Sequence, residues 1–162
     1  MSYPFDAALT RGLTADVDYE TSVLKVLLVV EGSKLDPRTS GAYFGLGQPS
    51  AANIAAIVTL SELSDPNYAR KTLAGKAVSI NTDTTPHRAQ ATFTPNEYTP
   101  AIGTLALPVI GAVIYDEGGG TEATRIPLWY INTGGANSFP WSGGSDLYVI
   151  APTGGWLRLE GR

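Results

Sequence analysis

Ser22-Val23-Leu24-Lys25-Val26-Leu27-Leu28-Val29-Val30 decides the reading of the fold, because it is apolar almost throughout and carries a single charge. A continuous apolar run this short is expected where a strand is buried on both faces. A buried helix is the competing reading, but the valines favour a strand. Leu107–Asp116 is a second run of the same kind and predicts a second buried strand. Asp116-Glu117-Gly118-Gly119-Gly120 then signals a turn. Thr124–Asn132, with Ile126, Leu128, Trp129, Tyr130 and Ile131, reads as the return strand. Pro127 inside it has no N–H for a ladder and predicts an edge position or a bulge.

Further out, Lys76–Asn81 alternates Val78 and Ile80 against Ser79 and Asn81. His87–Thr94 alternates Ala89, Ala91 and Phe93 against Arg88, Gln90, Thr92 and Thr94. Period-two alternation marks half-buried strands, and Asp83-Thr84-Thr85-Pro86 between them fits a hairpin loop. Thr133–Gly144 is a long loop, followed by two short strands, Asp146–Ala151 and Trp156–Leu159. Ala51–Leu63 suits a helix by its Ile54, Ile57 and Val58, and a strand by its central Ile-Val-Thr-Leu. Phe5, Leu9 and Leu13 recur every four residues, which predicts a short helix over Phe5–Thr14 or, since Gly12 weakens it, a simple arm. About eight short strands at even spacing predict a mainly β chain. The expected architecture is a single antiparallel β-sandwich or jelly roll over 21–162, with an N-terminal helix or arm over 1–20.

Composition narrows the function. The chain has 162 residues, enough for one domain with a real core. Only 16% are charged, well below the roughly 25% of soluble domains. Such a surface suits a subunit that buries much of itself against neighbours. The net charge of −4, without a basic block, argues against direct nucleic-acid binding. No cysteine is present, which excludes disulfides and cysteine zinc sites. No signal peptide is expected at the N-terminus, and no apolar run approaches membrane-spanning length.

The residues that carry chemistry are few. His87 is the sole histidine, and no Gly-x-Ser-x-Gly elbow accompanies it. Asp16-Val17-Asp18-Tyr19-Glu20 alternates acids like the start of a calcium loop, but lacks the glycine and closing glutamate of that pattern. Gly118-Gly119-Gly120 lacks the Lys-Ser/Thr of a phosphate loop. No cofactor and no metal are expected, and no enzymatic activity. The aromatic group Trp129, Tyr130, Phe139, Trp141, Tyr148 and Trp156 admits three readings: core, protein interface, or carbohydrate platform. Phe5, Leu9, Phe139 and Trp141 are the candidate interface residues. Trp141, within a loop rich in Gly, Ser and Asn, leads them.

One stretch carries a resemblance. Asp65-Pro66-Asn67-Tyr68-Ala69-Arg70-Lys71-Thr72-Leu73-Ala74-Gly75-Lys76-Ala77-Val78 resembles the "Tyr-Ala-Arg-x-x-Leu-x-Gly" segment of small β-rich virion proteins of tailed bacteriophages. The apolar strand at Leu24–Val29, the "Ile-x-Gly-Ala-Val-Ile-Tyr" strand at Ile110–Tyr115 and the "Pro-Leu-x-Tyr-Ile" strand at Pro127–Ile131 follow that family's order, from about Leu24 to Leu159. The segment between Ser33 and Ser64 is longer and richer in Gly and Ala than the pattern. The resemblance carries over no catalytic or binding residue. It implies a non-enzymatic virion component, assembled in the host cytoplasm. The expected role is a capsid cement or decoration protein. It would act as a homo-oligomer, a trimer being the expectation, on the major capsid protein, with Met1–Asp18 as a strap. The alternative is a tail or tail-fibre component that binds a host-surface glycan, and an enzyme such as a glycan hydrolase is a third reading.

Overall fold

A computed structural model describes residues 2–5, 18–32, 53–81, 88–98, 102–118, 120–132, 139–150 and 159–160. The strands are β1 (Ser2–Pro4), β2 (Leu24–Val30), β3 (Lys71–Thr72), β4 (Ala77–Asn81) and β5 (Arg88–Thr92). They continue as β6 (Asn96–Tyr98), β7 (Val109–Asp116), β8 (Ile126–Ile131), β9 (Leu147–Val149) and β10 (Leu159–Glu160). Among the described residues, a helix, α1 (Ile54–Ser61), lies between β2 and β3. The chain is mainly β and its sheets are antiparallel. The described strands close no barrel.

β2 and β7 form the spine. They pair from Leu24↔Asp116 to Val30↔Val109 at the centre of a five-stranded sheet of order β1-β8-β7-β2-β3. Both faces of β2 and β7 are covered, so alternate side chains go to different cores. Leu24, Val26, Leu28, Ala112 and Ile114 enter one core, which Tyr98, Leu147 and Val149 of the two-stranded β6–β9 ribbon also join. Leu27, Val29, Val113 and Tyr115 enter the other, which Ile54 and Ile57 of α1 complete together with Phe5. Two-sided burial is why β2 and β7 read as unbroken apolar runs.

α1 resolves the ambiguity at Ala51–Leu63 in favour of a helix. Asn53 caps it, its side chain accepting from Ala56 N at 3.0 Å. Ile54 and Ile57, three apart, share the face turned to the sheet. Pro127 sits at a bulge: Ile114 pairs with Trp129 but Tyr115 with Pro127, leaving Leu128 as the extra residue. The bulge keeps Leu128 and Trp129 in the same core although they are adjacent. The predicted loop at Thr133–Gly144 is tied down at its end, where Trp141 and Val109 exchange two backbone bonds of 2.8 Å.

The N-terminus departs from the expected strap at its start. Ser2–Pro4 is a strand on β8 of the same chain, and Phe5 N continues the ladder to Leu128 O at 2.9 Å. The predicted helix at Phe5–Thr14 lies, beyond Phe5, outside the described residues.

The hairpin of β4 and β5, with β10 paired to the other edge of β5, is a separate three-stranded sheet of order β10-β5-β4. Its base is held by the turn at 18–22: Tyr19 Oη donates to Thr92 O at 2.8 Å, and Lys76 Nζ donates to Ser22 O.

Candidate functional site

The segment that carries the resemblance, Tyr68–Lys76, closes the fold. Tyr68 stacks on Tyr98 of the ribbon, ring centroids 6.0 Å apart. Its hydroxyl accepts from Leu28 N at 2.9 Å and donates to Glu62 Oε1 at 2.9 Å. Burial first, then the Glu62 charge, pushes that phenol far above its usual range, so it stays a neutral donor. Leu73 is buried and its amide bonds Leu24 O at 2.8 Å. Gly75 has a positive φ of 56° and lies against Thr94, whose Oγ1 would be 2.1 Å from an added Cβ. Only glycine meets both demands without strain.

Arg70 is the hub of a charged clasp. Its Nε and Nη2 donate to the two oxygens of Glu62, each at 2.7 Å, in a bidentate fork. Nη1 donates to Glu122 Oε1 at 2.7 Å and to Tyr115 Oη at 3.2 Å. The guanidinium also lies 5.4 Å from the centre of the Tyr115 ring. Arg125 donates to Glu122 Oε1 at 2.8 Å and pairs with Glu117, which Lys25 also meets at 3.0 Å. Lys25, Arg70 and Arg125 thus balance Glu62, Glu117 and Glu122. The clasp joins the end of α1, the strand β2 and the β7–β8 turn, none of them adjacent in sequence. The Glu62 fork above all holds the Arg70 proton tighter than usual, against the cost of burial. Burial pushes the Tyr115 hydroxyl up to about 12, although Arg70 pulls the other way.

The candidate interface residues divide. Phe5 is fully buried in the helix-side core, and Trp141 is 4% exposed in the ribbon-side core, with Nε1 donating to Ser145 Oγ at 3.2 Å. Neither is a surface anchor in this chain; each is large and apolar, and each gains more by filling a core. Phe139 is half-buried against the ribbon-side core, and Leu9 lies outside the described residues. Trp129 is likewise core, edge-on to Tyr19 with centroids 6.1 Å apart. Trp156 and His87 lie outside the described residues. Trp129 and Trp141 therefore form no glycan platform. Tyr148 is exposed, its hydroxyl donating to Glu97 Oε1 at 2.9 Å.

Asp18 and Glu20 of the calcium-like stretch have other work, and Asp16 lies outside the described residues. Asp18 Oδ1 accepts from the amides of Glu20 at 3.0 Å and Thr21 at 3.3 Å, and the Thr21 side chain is the first cause of its lowered pKa. Glu20 Oε1 accepts from Val78 N at 3.1 Å. Among the described residues, no three His, Cys, Asp or Glu side chains gather as a metal site.

What sequence reasoning missed is the surface around Val78. Ala77, Val78 and Ser79 are exposed, Val78 to 49%, and among the described residues no strand pairs outside β4. The signal was present as five consecutive uncharged residues, Ala77–Asn81, but alternation alone does not say which strand ends a sheet. A shallow pocket of about 220 Å³ lies between Val30, Glu62, Leu63 and Leu105–Leu107. The chain matches no protein-family model, no curated protein and no solved structure.

Proposed function

We propose that this chain is a non-enzymatic structural protein of a tailed-bacteriophage virion, acting as a capsid cement or decoration protein. One observation supports the reading most. Of the residues that carry the resemblance, Tyr68 and Arg70 tie β2 and β7 to Glu62 at the end of α1, Leu73 bonds β2, and Gly75 packs on Thr94, so all four serve the architecture. A pattern kept for architecture is what a virion component resembling that family would share. The weakly charged composition adds to it, because a subunit that clamps its neighbours buries surface that charges would make costly to dry. In this role the chain would sit in many copies on the major capsid protein and hold shell subunits together.

The test is the protein content of purified particles from the phage that encodes the chain. Quantitative mass spectrometry is expected to find it at a fixed ratio to the major capsid protein. Absence from particles would overturn the proposal. Presence at a few copies per particle would move it to the tail.

A further inference from the structure

We propose that the Arg70 clasp is an acid-released latch on α1, which lets the helix leave the sheet while the ribbon-side core stays folded. This device does not depend on the virion reading. One turn fastens both ends of the helix. At the start of α1, Ile54 N donates to Arg125 O at 3.0 Å and Ala55 N donates to Glu122 O at 2.9 Å. Just past its end, both oxygens of Glu62 lie in the Arg70 fork at 2.7 Å. The same guanidinium reaches Glu122 Oε1, also at 2.7 Å. Glu122 therefore holds the first turn of α1 through its carbonyl and the end of α1 through Arg70. Arg125 closes the ring, its guanidinium meeting the Glu122 carboxylate at 2.8 Å. Helices much shorter than about 12 residues are marginal in water. The eight residues of α1 thus depend on these ties and on the sheet beneath Ile54 and Ile57.

The clasp is ionic, and acid reverses its sign. Lys25 of β2, Arg70 ahead of β3 and Arg125 ahead of β8 face Glu62 past α1 and Glu117 and Glu122 of the β7–β8 turn. The two phenols beside them, Tyr68 and Tyr115, are held neutral by burial. Of all these groups only the carboxylates change charge in acid. Protonating them leaves three cations crowded together, and attraction becomes repulsion. Glu62, Arg70 and Arg125 are mostly shielded from water, so the change is poorly screened. The ribbon-side core has no such dependence, because its buried members are all aliphatic or aromatic. Leu63 belongs to that core and its amide bonds Leu28 O at 2.9 Å, so it stays as the hinge. Opening would uncover Leu27, Val29 and Val113 of the helix-side core.

Amide exchange on the whole chain, corrected for intrinsic rates, reads the latch directly. Between pH 7 and about pH 3.5, protection of α1 is expected to fall at least tenfold, while Leu147–Val149 changes less than threefold. A dye that reports exposed apolar surface should bind over the same range. Glu62→Gln and Glu122→Gln each remove a carboxylate at nearly constant shape. Each is expected to lower α1 protection at least threefold at pH 7 and to leave a smaller fall in acid. Asp146→Asn, which changes an exposed acid outside the clasp, should leave the α1 profile as it is. Equal loss in α1 and Leu147–Val149 would mean that the chain opens as one unit, and would overturn the proposal. So would α1 protection that does not change with pH, or glutamine variants that both keep the wild-type profile. If neither variant folds, the wild-type comparison of α1 with Leu147–Val149 still decides. None of these outcomes bears on the presence of the chain in particles, so the virion reading stands or falls separately.

Discussion

Gly111 lets β7 and β8 lie as they do. A Cβ there would stand 2.6 Å from the Tyr130 ring and 2.7 Å from Ile131 O. Gly111→Ala is expected to destabilise the fold by about 1–3 kcal/mol through overpacking, measured by denaturant unfolding. Arg70→Ala strands Glu62 beneath the surface, where its side chain is only 12% exposed. A loss of about 2–4 kcal/mol is expected, since removing one partner of a well-buried pair leaves a charge without compensation. Glu117 sets a pH limit. Burial raises its pKa, but hydrogen bonds from Lys25 and Tyr115 and the charge of Arg125 outweigh that, leaving it below the ordinary value of 4.5. A depressed carboxylate stabilises the fold above its unfolded pKa, and the contribution is lost as pH falls through the folded one. Thermal unfolding should therefore show stability falling below pH 4.5, with a shallower fall in Glu117→Gln. Little of this clasp was legible in the sequence. Arg70 and Tyr68 stood out as a pattern, but Glu122 and Arg125 lie more than fifty positions away, and no spacing links them.

At the scale of elements, the apolar runs told the most. β2 and β7 were readable because two-sided burial leaves no polar residue to blur the pattern. Pro127 marked an edge position or a bulge, because a missing N–H has few places to go within a sheet, and the structure has the bulge. α1 was undecided because a short apolar segment fits either period, and its cap at Asn53 settled it. Asn53→Ala should cost about 1 kcal/mol, read by denaturation. Trp141 misled, since its polar loop suggested exposure while its backbone is pinned to Val109. The elements should also differ in local stability. β2 and β7 carry dry side chains on both faces, whereas Ala77, Val78 and Ser79 on β4 are exposed. Amide exchange is expected to be slowest in β2 and β7 and clearly faster in β4, reflecting opening of the hairpin alone. Equal protection in both would mean that β4 is covered in solution.

For the whole molecule, the account sets a covered two-strand spine beside a more exposed hairpin. β2 and β7 are covered on both faces, and the charged clasp beside them is neutral overall. The β4–β5 hairpin belongs to a separate three-stranded sheet, and Val78 on β4 is half-exposed. Val78→Lys should accordingly keep the wild-type melting temperature to within a degree or two. The most direct test of the assembly role adds the purified chain to phage shells that lack it, then measures co-sedimentation and the temperature at which the shells fall apart. The account predicts saturable binding at a fixed ratio to the major capsid protein and a higher disruption temperature. A chain that stays in the supernatant and leaves that temperature unchanged would contradict it.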